Sequence, residues 1–320
     1  MGSPAPGLRC RQIDKTDIGA VASLLARGFP ARNLRFWRET MAQLTRHEPP
    51  PGLPQYGYLL ESSGVIVGVI LLIYSALPGD GDAIRCNLSS WYVDPAFRAY
   101  APMLVAQALR RKDITYLNVS PAPHTLPIIE AQGFTRYCDG IFVAMPMLNG
   151  PFGGSKVEVF DADRLPQARF DESDAQMLRA HAAYGCISLW CVAEGRASPL
   201  IFRARLARRF IPCAQLIYCR DIAHLVHSAG PVGRALARRG LPIVIIDANA
   251  PIQGLWGFYK RGRLPKYFKG PPRPRLGDLA YTESALTGGS VTAIRGSTRP
   301  VRPCRPRGAL PLTPANGPRR

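Results

Sequence analysis

The sequence predicts an α/β protein, a mixed α+β sheet flanked by helices, laid out as two consecutive copies of one plan. Strand-like and amphipathic helical runs alternate through residues 1–150. Residues 151–156, Pro-Phe-Gly-Gly-Ser-Lys, then have the composition of a linker. Residues 157–286 repeat the order strand, helix, strands, helix, strand, without evident residue identity to the first half. At 320 residues, 47% hydrophobic and 20% charged, the chain has material for two cores of roughly 150 residues each.

In the first half, a strand at Arg9–Ile13 leads to a cap at Thr16-Asp17 and a helix whose apolar face is Ile18, Val21, Leu24 and Leu25. A second helix runs from Leu34 to Leu44, and Pro49-Pro50-Pro51-Gly52 forms a stiff surface loop. Strands follow at Tyr56–Glu61, Val65–Tyr74 and Ile84–Val93, the last two separated by the turn residues Pro78 to Asp82. A helix at Pro102–Arg111, a strand at Ile114–Val119, a short helix at Leu126–Ala131 ended by Gly133, and a hairpin over Phe134–Met147 complete the half. The second half reads as strand Val157–Phe160, helix Ser173–Tyr184, strands Leu189–Glu194, Leu200–Leu206 and Ala214–Cys219, helix Pro231–Arg239 and strand Pro242–Asp247. Residues 287–320, rich in Gly, Pro, Arg, Ser and Thr, lack periodic apolar residues and are expected to be disordered.

The net charge of +19 is uneven: about +3 over 1–150, +9 over 151–286 and +7 over 287–320. A nearly neutral first half does not require a nucleic-acid partner. The longest apolar stretch, Val65–Tyr74, has ten residues where a membrane helix needs roughly 20, so no membrane partner is expected. The beginning of the sequence lacks the basic start and apolar run of a secretory signal, which predicts a cytoplasmic protein. Eight cysteines without metal-knuckle spacing read as reduced, buried thiols. His224 and His227 have no third ligand in register, so no metal is expected.

The segment that carries chemistry is Asn87-Leu-Ser-Ser-Trp-Tyr-Val-Asp-Pro-Ala-Phe-Arg-Ala-Tyr-Ala-Pro-Met103. A strand ends at Val93, Pro95 forbids its continuation, and a short loop enters a helix at Pro102. Strand, loop and helix together make a place where backbone N–H groups and a helix N-terminus can hold a pyrophosphate, with Arg98 adding charge.

This segment resembles the GNAT superfamily of acyl-CoA-dependent N-acyltransferases, whose members typically show Val-x-Pro-x-x-Arg followed by a glycine loop and a helix. Val93, Pro95 and Arg98 match; Ala99, Ala101 and Met103 stand at the loop's glycine positions. The later Glu130-Ala-Gln-Gly133-Phe134 matches the family's helix that ends in Gly-Phe. The resemblance covers the first half and implies two GNAT-like copies, the second degenerate. It implies acetyl-CoA or another acyl-CoA as substrate, its pantetheine arm paired to the backbone of Trp91, Tyr92 and Val93. Its pyrophosphate would lie on Arg98, Ala99, Tyr100, Ala101 and Met103, with Asn118 near the arm. The acyl group would pass to an amine acceptor by direct attack, the oxyanion held by a backbone N–H. The tyrosine that many members place four residues before Gly-Phe is Ile129, and the missing glycines raise a second reading, a noncatalytic acyl-CoA sensor.

Other features compete for a role. His124 is read as a cap or loop residue. The turn Ser228-Ala-Gly-Pro-Val-Gly233 occupies the phosphate-loop position of the second copy. Residues 256–275 carry seven bases and five aromatics with no acid, a pattern suited to an anionic ligand, to nucleic acid, or to a solvated hairpin. Beside this strip, Tyr281 and Glu283 are the polar candidates for acid or base work.

Overall fold

The computed structural model describes residues 7–76, 83–150, 157–208 and 210–287. The predicted linker at 151–156, the turn at 78–82 and the tail from 288 lie outside these residues. The first half supplies strands β1 (Leu8–Gln12), β2 (Gly57–Ser62), β3 (Val65–Ala76), β4 (Ile84–Val93), β5 (Thr115–Asn118) and β6 (Thr135–Ala144). Its helices are α1 (Ile18–Gly28), α2 (Leu34–Arg46), α3 (Ala101–Ala108) and α4 (Leu126–Ala131). The second half adds β7 (Glu158–Asp161), α5 (Glu172–Ala183), β8 (Ile187–Ala193), β9 (Arg196–Ala207) and β10 (Ile211–Cys219). It continues through α6 (Ile222–His227), α7 (Ala229–Ala237), β11 (Ile243–Ala248), β12 (Gly257–Lys269) and α8 (Glu283–Leu286).

Local chemistry explains the boundaries. The cap of the first helical turn is Asp14, whose carboxylate accepts from the Thr16 amide while Asp17 accepts from the Asp14 amide, a reciprocal box one turn earlier than expected. Asn33 caps α2 by accepting from the Phe36 amide. Strand β4 keeps the predicted bounds because Pro95 stops it.

All twelve strands join one sheet in the order β1-β2-β3-β4-β5-β12-β6-β11-β10-β9-β8-β7. Each half shows three antiparallel pairings followed by a parallel one: β1 to β4 then β4–β5, and β7 to β10 then β10–β11. At the centre the halves exchange strands. β12 lies between β5 and β6, and β6 pairs on its other side with β11.

This exchange corrects two sequence expectations. Phe134–Met147 is one strand rather than a hairpin, and both its partners come from the second half. Gly140 sits mid-strand, where a side chain would collide with the Lys260 carbonyl of β12. The strip at 256–275 contributes a central strand rather than a solvated hairpin. Lys266 is 1% exposed and pairs with Asp247 at 2.9 Å, while Lys269 donates to the Gln132 carbonyl. Arg275 lies over the Tyr218 ring and donates to the Cys219 carbonyl.

Helices cover both faces. On the front, α1, α2, α5 and α8 share one core that runs through both halves, from Val21 and Leu25 to Leu178 and Leu286. On the back, α3 and α4 cover the first half and α6 and α7 the second. The described cysteines are all free thiols, buried except for half-buried Cys10. No described helix is long and apolar enough to cross a membrane. Among the described residues no three His, Cys, Asp or Glu side chains gather as a metal would require.

Candidate active site

The site follows from where a parallel pair of strands stops pairing. β4 and β5 are bonded only over Arg85–Asn87 and Thr115–Leu117. Beyond these residues β5 ends at Asn118 while β4 runs to Val93, so one edge of β4 from Leu88 onward has no strand partner. Within that stretch β4 bulges: Ser90 and Trp91 together oppose Ile70 of β3, and Ser90 takes a left-handed backbone at φ 47°.

A cleft of about 230 Å³ opens in this gap and reaches both faces of the sheet. Its back wall is apolar, made by Ile70, Leu88, Val105 and Ile129. Its front mouth is aromatic, made by Phe29, Phe36 and Trp37, with Arg32 packed over the Phe36 ring at 4.6 Å. The gap between is lined by Ser89, Ser90, Trp91, Asn118 and Ser120. The indole N–H groups of Trp37 and Trp91 are buried here without a hydrogen-bond partner, although Trp37 is only 4% exposed.

The front side of β4 is threaded to the second half. Arg85, Asn87 and Ser89 alternate along the strand and therefore project to one face. Arg85 donates to Asp278 at 2.9 Å and to the Ala280 carbonyl at 2.9 Å. Asn87 donates to the Leu88 and Leu117 carbonyls and accepts from the Glu283 amide at 2.7 Å, so it wedges the two strands at their parting. Ser89 donates to the Glu283 carboxylate, and Ser120, just past β5, donates to its other oxygen. Burial pushes the Glu283 carboxyl above its ordinary range, opposed by the two hydroxyls and by the charges of Arg205 and Lys266. Upstream, the buried His181 ring accepts from the Tyr281 amide at 3.1 Å while its other nitrogen donates to the Met177 carbonyl. Burial lowers its pKa to about 4, so it is a neutral support at physiological pH.

The sequence-derived site residues divide accordingly. Trp91 and Asn118 line the cleft. Tyr92 and Val93 share the β4 backbone; Tyr92 packs on Phe29 in front, and Val93 is buried behind. Arg98, Ala99 and Tyr100 lie in a 3-10 turn over Pro95–Tyr100, and Ala101 and Met103 begin α3. This turn replaces the open glycine loop, and it spends the Phe97 and Ala101 amides on the carbonyls of Asp94 and Arg98. Ile129 lines the cleft where the resemblance would place a tyrosine, and brings no acid. His124 sits in a 3-10 turn before α4 and does not line the cleft.

The second-half turn at 228–233 does not form a phosphate loop. It is wound into α7 and buried, and a side chain at Gly233 would strike the Met147 backbone, so small residues there serve close packing against 146–150.

A mixed sheet whose central parallel pair splays around a two-faced cleft, repeated about its middle, is the fold of the GCN5-related N-acetyltransferases, GNAT, in tandem. Comparison with solved structures agrees. A candidate acetyltransferase from Pyrococcus horikoshii superposes with a TM-score of 0.54 at 11% identity, over 91% of this chain and 97% of that one. A GCN5-related N-acetyltransferase from Kribbella flavida gives 0.52 at 14% identity, over 82% and 70%. Another from Anabaena variabilis gives 0.50 at 11%, over 82% and 72%. No family model and no curated protein matches the sequence.

Proposed function

We propose that the chain is an acyl-CoA-dependent acyltransferase that moves an acetyl or related acyl group from CoA to an amine acceptor in the first-half cleft. The observation that carries this reading is the unpaired edge of β4 lining a cleft open to both faces of the sheet. Direct transfer needs two ligands to meet end to end, and a passage through the sheet allows one to enter from each side. The thioester arm fits the apolar back side, adding to the Leu88–Val93 edge as a strand would. Arg98 and the start of α3 then stand where a pyrophosphate would follow, with Ala99, Tyr100, Ala101 and Met103 forming the surface beneath it. Asn118 and the Trp91 indole line the same gap.

Calorimetric titration with acetyl-CoA and decanoyl-CoA tests the reading. The wild type is expected to bind one acyl-CoA per chain. Arg98→Glu is expected to weaken it roughly tenfold or more, the scale of one charge-assisted contact to phosphate. Absence of binding to the wild type rejects the proposal. Binding with no CoA release across a panel of amines would favour the sensor reading, for which the internally bonded 3-10 turn in place of a glycine loop is the motive.

A further inference from the structure

Glu283 is the only carboxylate lining the cleft among the described residues, and it belongs to the opposite half of the chain from the strands that form the gap. We propose that Glu283, delivered by the second half, takes the proton from an aromatic or otherwise apolar primary amine that enters through the front mouth. This rests on the acyltransferase reading above and assigns its acceptor side.

The placement has three supports. The carboxylate accepts from Ser89 on one side of the splay and from Ser120 on the other, so its oxygens lie at the parting of β4 and β5. Its backbone is fixed by Asn87, and the preceding residues by Arg85 and His181, which leaves little freedom to swing away. The mouth in front of it is walled by Phe29, Phe36 and Trp37, with ring centroids 5.4 Å apart for Phe29–Trp37 and 5.1 Å for Phe36–Trp37. Aromatic faces suit an apolar body and the carboxylate an ammonium, which passes the Arg32 cation stacked on Phe36, whereas a sugar would leave its hydroxyls unpaired against the rings. Burial raises this carboxyl, and the Ser120 and Ser89 hydroxyls and the charges of Arg205 and Lys266 act against it in favour of the ionised form.

The chemistry balances as follows. The ammonium gives one proton to a Glu283 oxygen, and the freed nitrogen lone pair attacks the thioester carbonyl carbon. A C–N bond forms, the tetrahedral adduct collapses with cleavage of the C–S bond, and the second nitrogen proton ends on the CoA sulfur. Glu283 then returns its proton to solvent.

Acetyl transfer to phenethylamine, followed by CoA thiol release, tests the inference on the full chain. The wild type should turn over, with kcat/KM rising with pH through a carboxyl ionisation, because only the deprotonated base is active. Glu283→Gln should lower kcat by at least about 100-fold and flatten that limb, with acetyl-CoA affinity unchanged within about twofold by calorimetry. Ser120→Ala, which removes one donor to the carboxylate, should move the limb to higher pH, and it serves where Glu283→Gln fails to fold. A Glu283→Gln protein that keeps the wild-type rate and limb overturns the proposal. So does a limb unmoved in Ser120→Ala, or a wild type that binds acetyl-CoA and leaves phenethylamine unacetylated. A wild type that does not bind acetyl-CoA defeats the underlying reading instead.

Discussion

The two halves part their central strands in the same way and fill the gap differently. In the first half, β4 and β5 separate after Asn87 and Leu117 and a cleft remains. In the second, β10 and β11 pair over Cys213–Gln215 and Ile243–Ile245, and β10 bulges soon afterwards between Leu216 and Tyr218. There the chain plugs its own gap. The Leu279 amide donates to the Ile217 carbonyl at 2.7 Å, the Cys219 amide donates to the Gly277 carbonyl at 2.9 Å, and Tyr218 bridges Asp278. Residues 277–279 thus occupy the edge of β10 that corresponds to the open edge of β4, and the same segment continues to Glu283 in the first-half cleft. The halves repeat one strand order, and the first keeps an open cleft beside β4. The other has become the mount for a segment that completes it.

The sharpest way to break this comparison is to cut the tie between plug and cleft. Arg85 and Asp278 form a buried pair, with side chains 10% and 4% exposed. Arg85→Ala would strand the Asp278 charge among apolar neighbours and release Ala280, while Arg275, 3.7 Å from Asp278, compensates only in part. Removing one partner of such a pair costs about 3–5 kcal/mol. Urea denaturation should show a loss in this range, the largest expected of the variants considered. A loss below about 1 kcal/mol would mean that the segment is held mainly by its strand-like bonds to β10.

How much of this was legible in the sequence depended on range. The end of β4, the Pro95 break and the helix Leu126–Ala131 are local events, set by proline, glycine and apolar spacing, and their sequence bounds match the observed ones. β12 does not read as a strand, because Gly262, Pro265 and five bases interrupt its alternation. Its place is secured by residues remote in sequence, such as Asp247 against Lys266. Trp91 is named from the motif and Asn118 from the strand after the motif helix, whereas the partnership of Glu283 with Ser89 spans 194 positions. In the sequence Glu283 is an acid beside a basic strip, and no spacing rule tells that it enters the first-half cleft. The exchange of β6 and β12 was likewise invisible, since each half alone lacks the partner that its central strands require.

A second test loosens the support of the plug by acid. His181 is fully buried and neutral, with a pKa lowered to about 4 by burial. The unfolded chain takes up its proton near the ordinary value, so His181 favours the fold above pH 6.5, and that advantage is lost as pH falls towards 4. The loss should be on the order of 2 kcal/mol by pH 5. Buried His47, also lowered by burial, adds to it with the same sign. Thermal unfolding followed from pH 7 to 4.5 should show this decline, and His181→Gln should flatten part of it. An equally steep decline in the variant would assign the acid sensitivity elsewhere.

The smallest expected effect concerns the tip of the segment and has the opposite sign. Glu283 is held in the open cleft with its carboxyl raised by burial, so the folded state keeps this proton to higher pH than the unfolded chain does. Between the two ionisations, stability therefore falls as pH rises, and at neutral pH the ionised carboxylate burdens the fold. Glu283→Gln keeps an oxygen to accept from Ser89 or Ser120 and removes the charge. The variant should unfold later at pH 7.5 by about 1 kcal/mol, roughly 2 °C for a chain of this size. The gain should vanish below the ordinary carboxyl pKa, where the wild type is protonated in both states. Glutamine at a position of purely structural value would lower the melting temperature instead. A gain in stability with a loss of transfer is the signature of a carboxylate kept in the cleft for chemistry, and its absence would return Glu283 to the role of a strut between β4 and the second half.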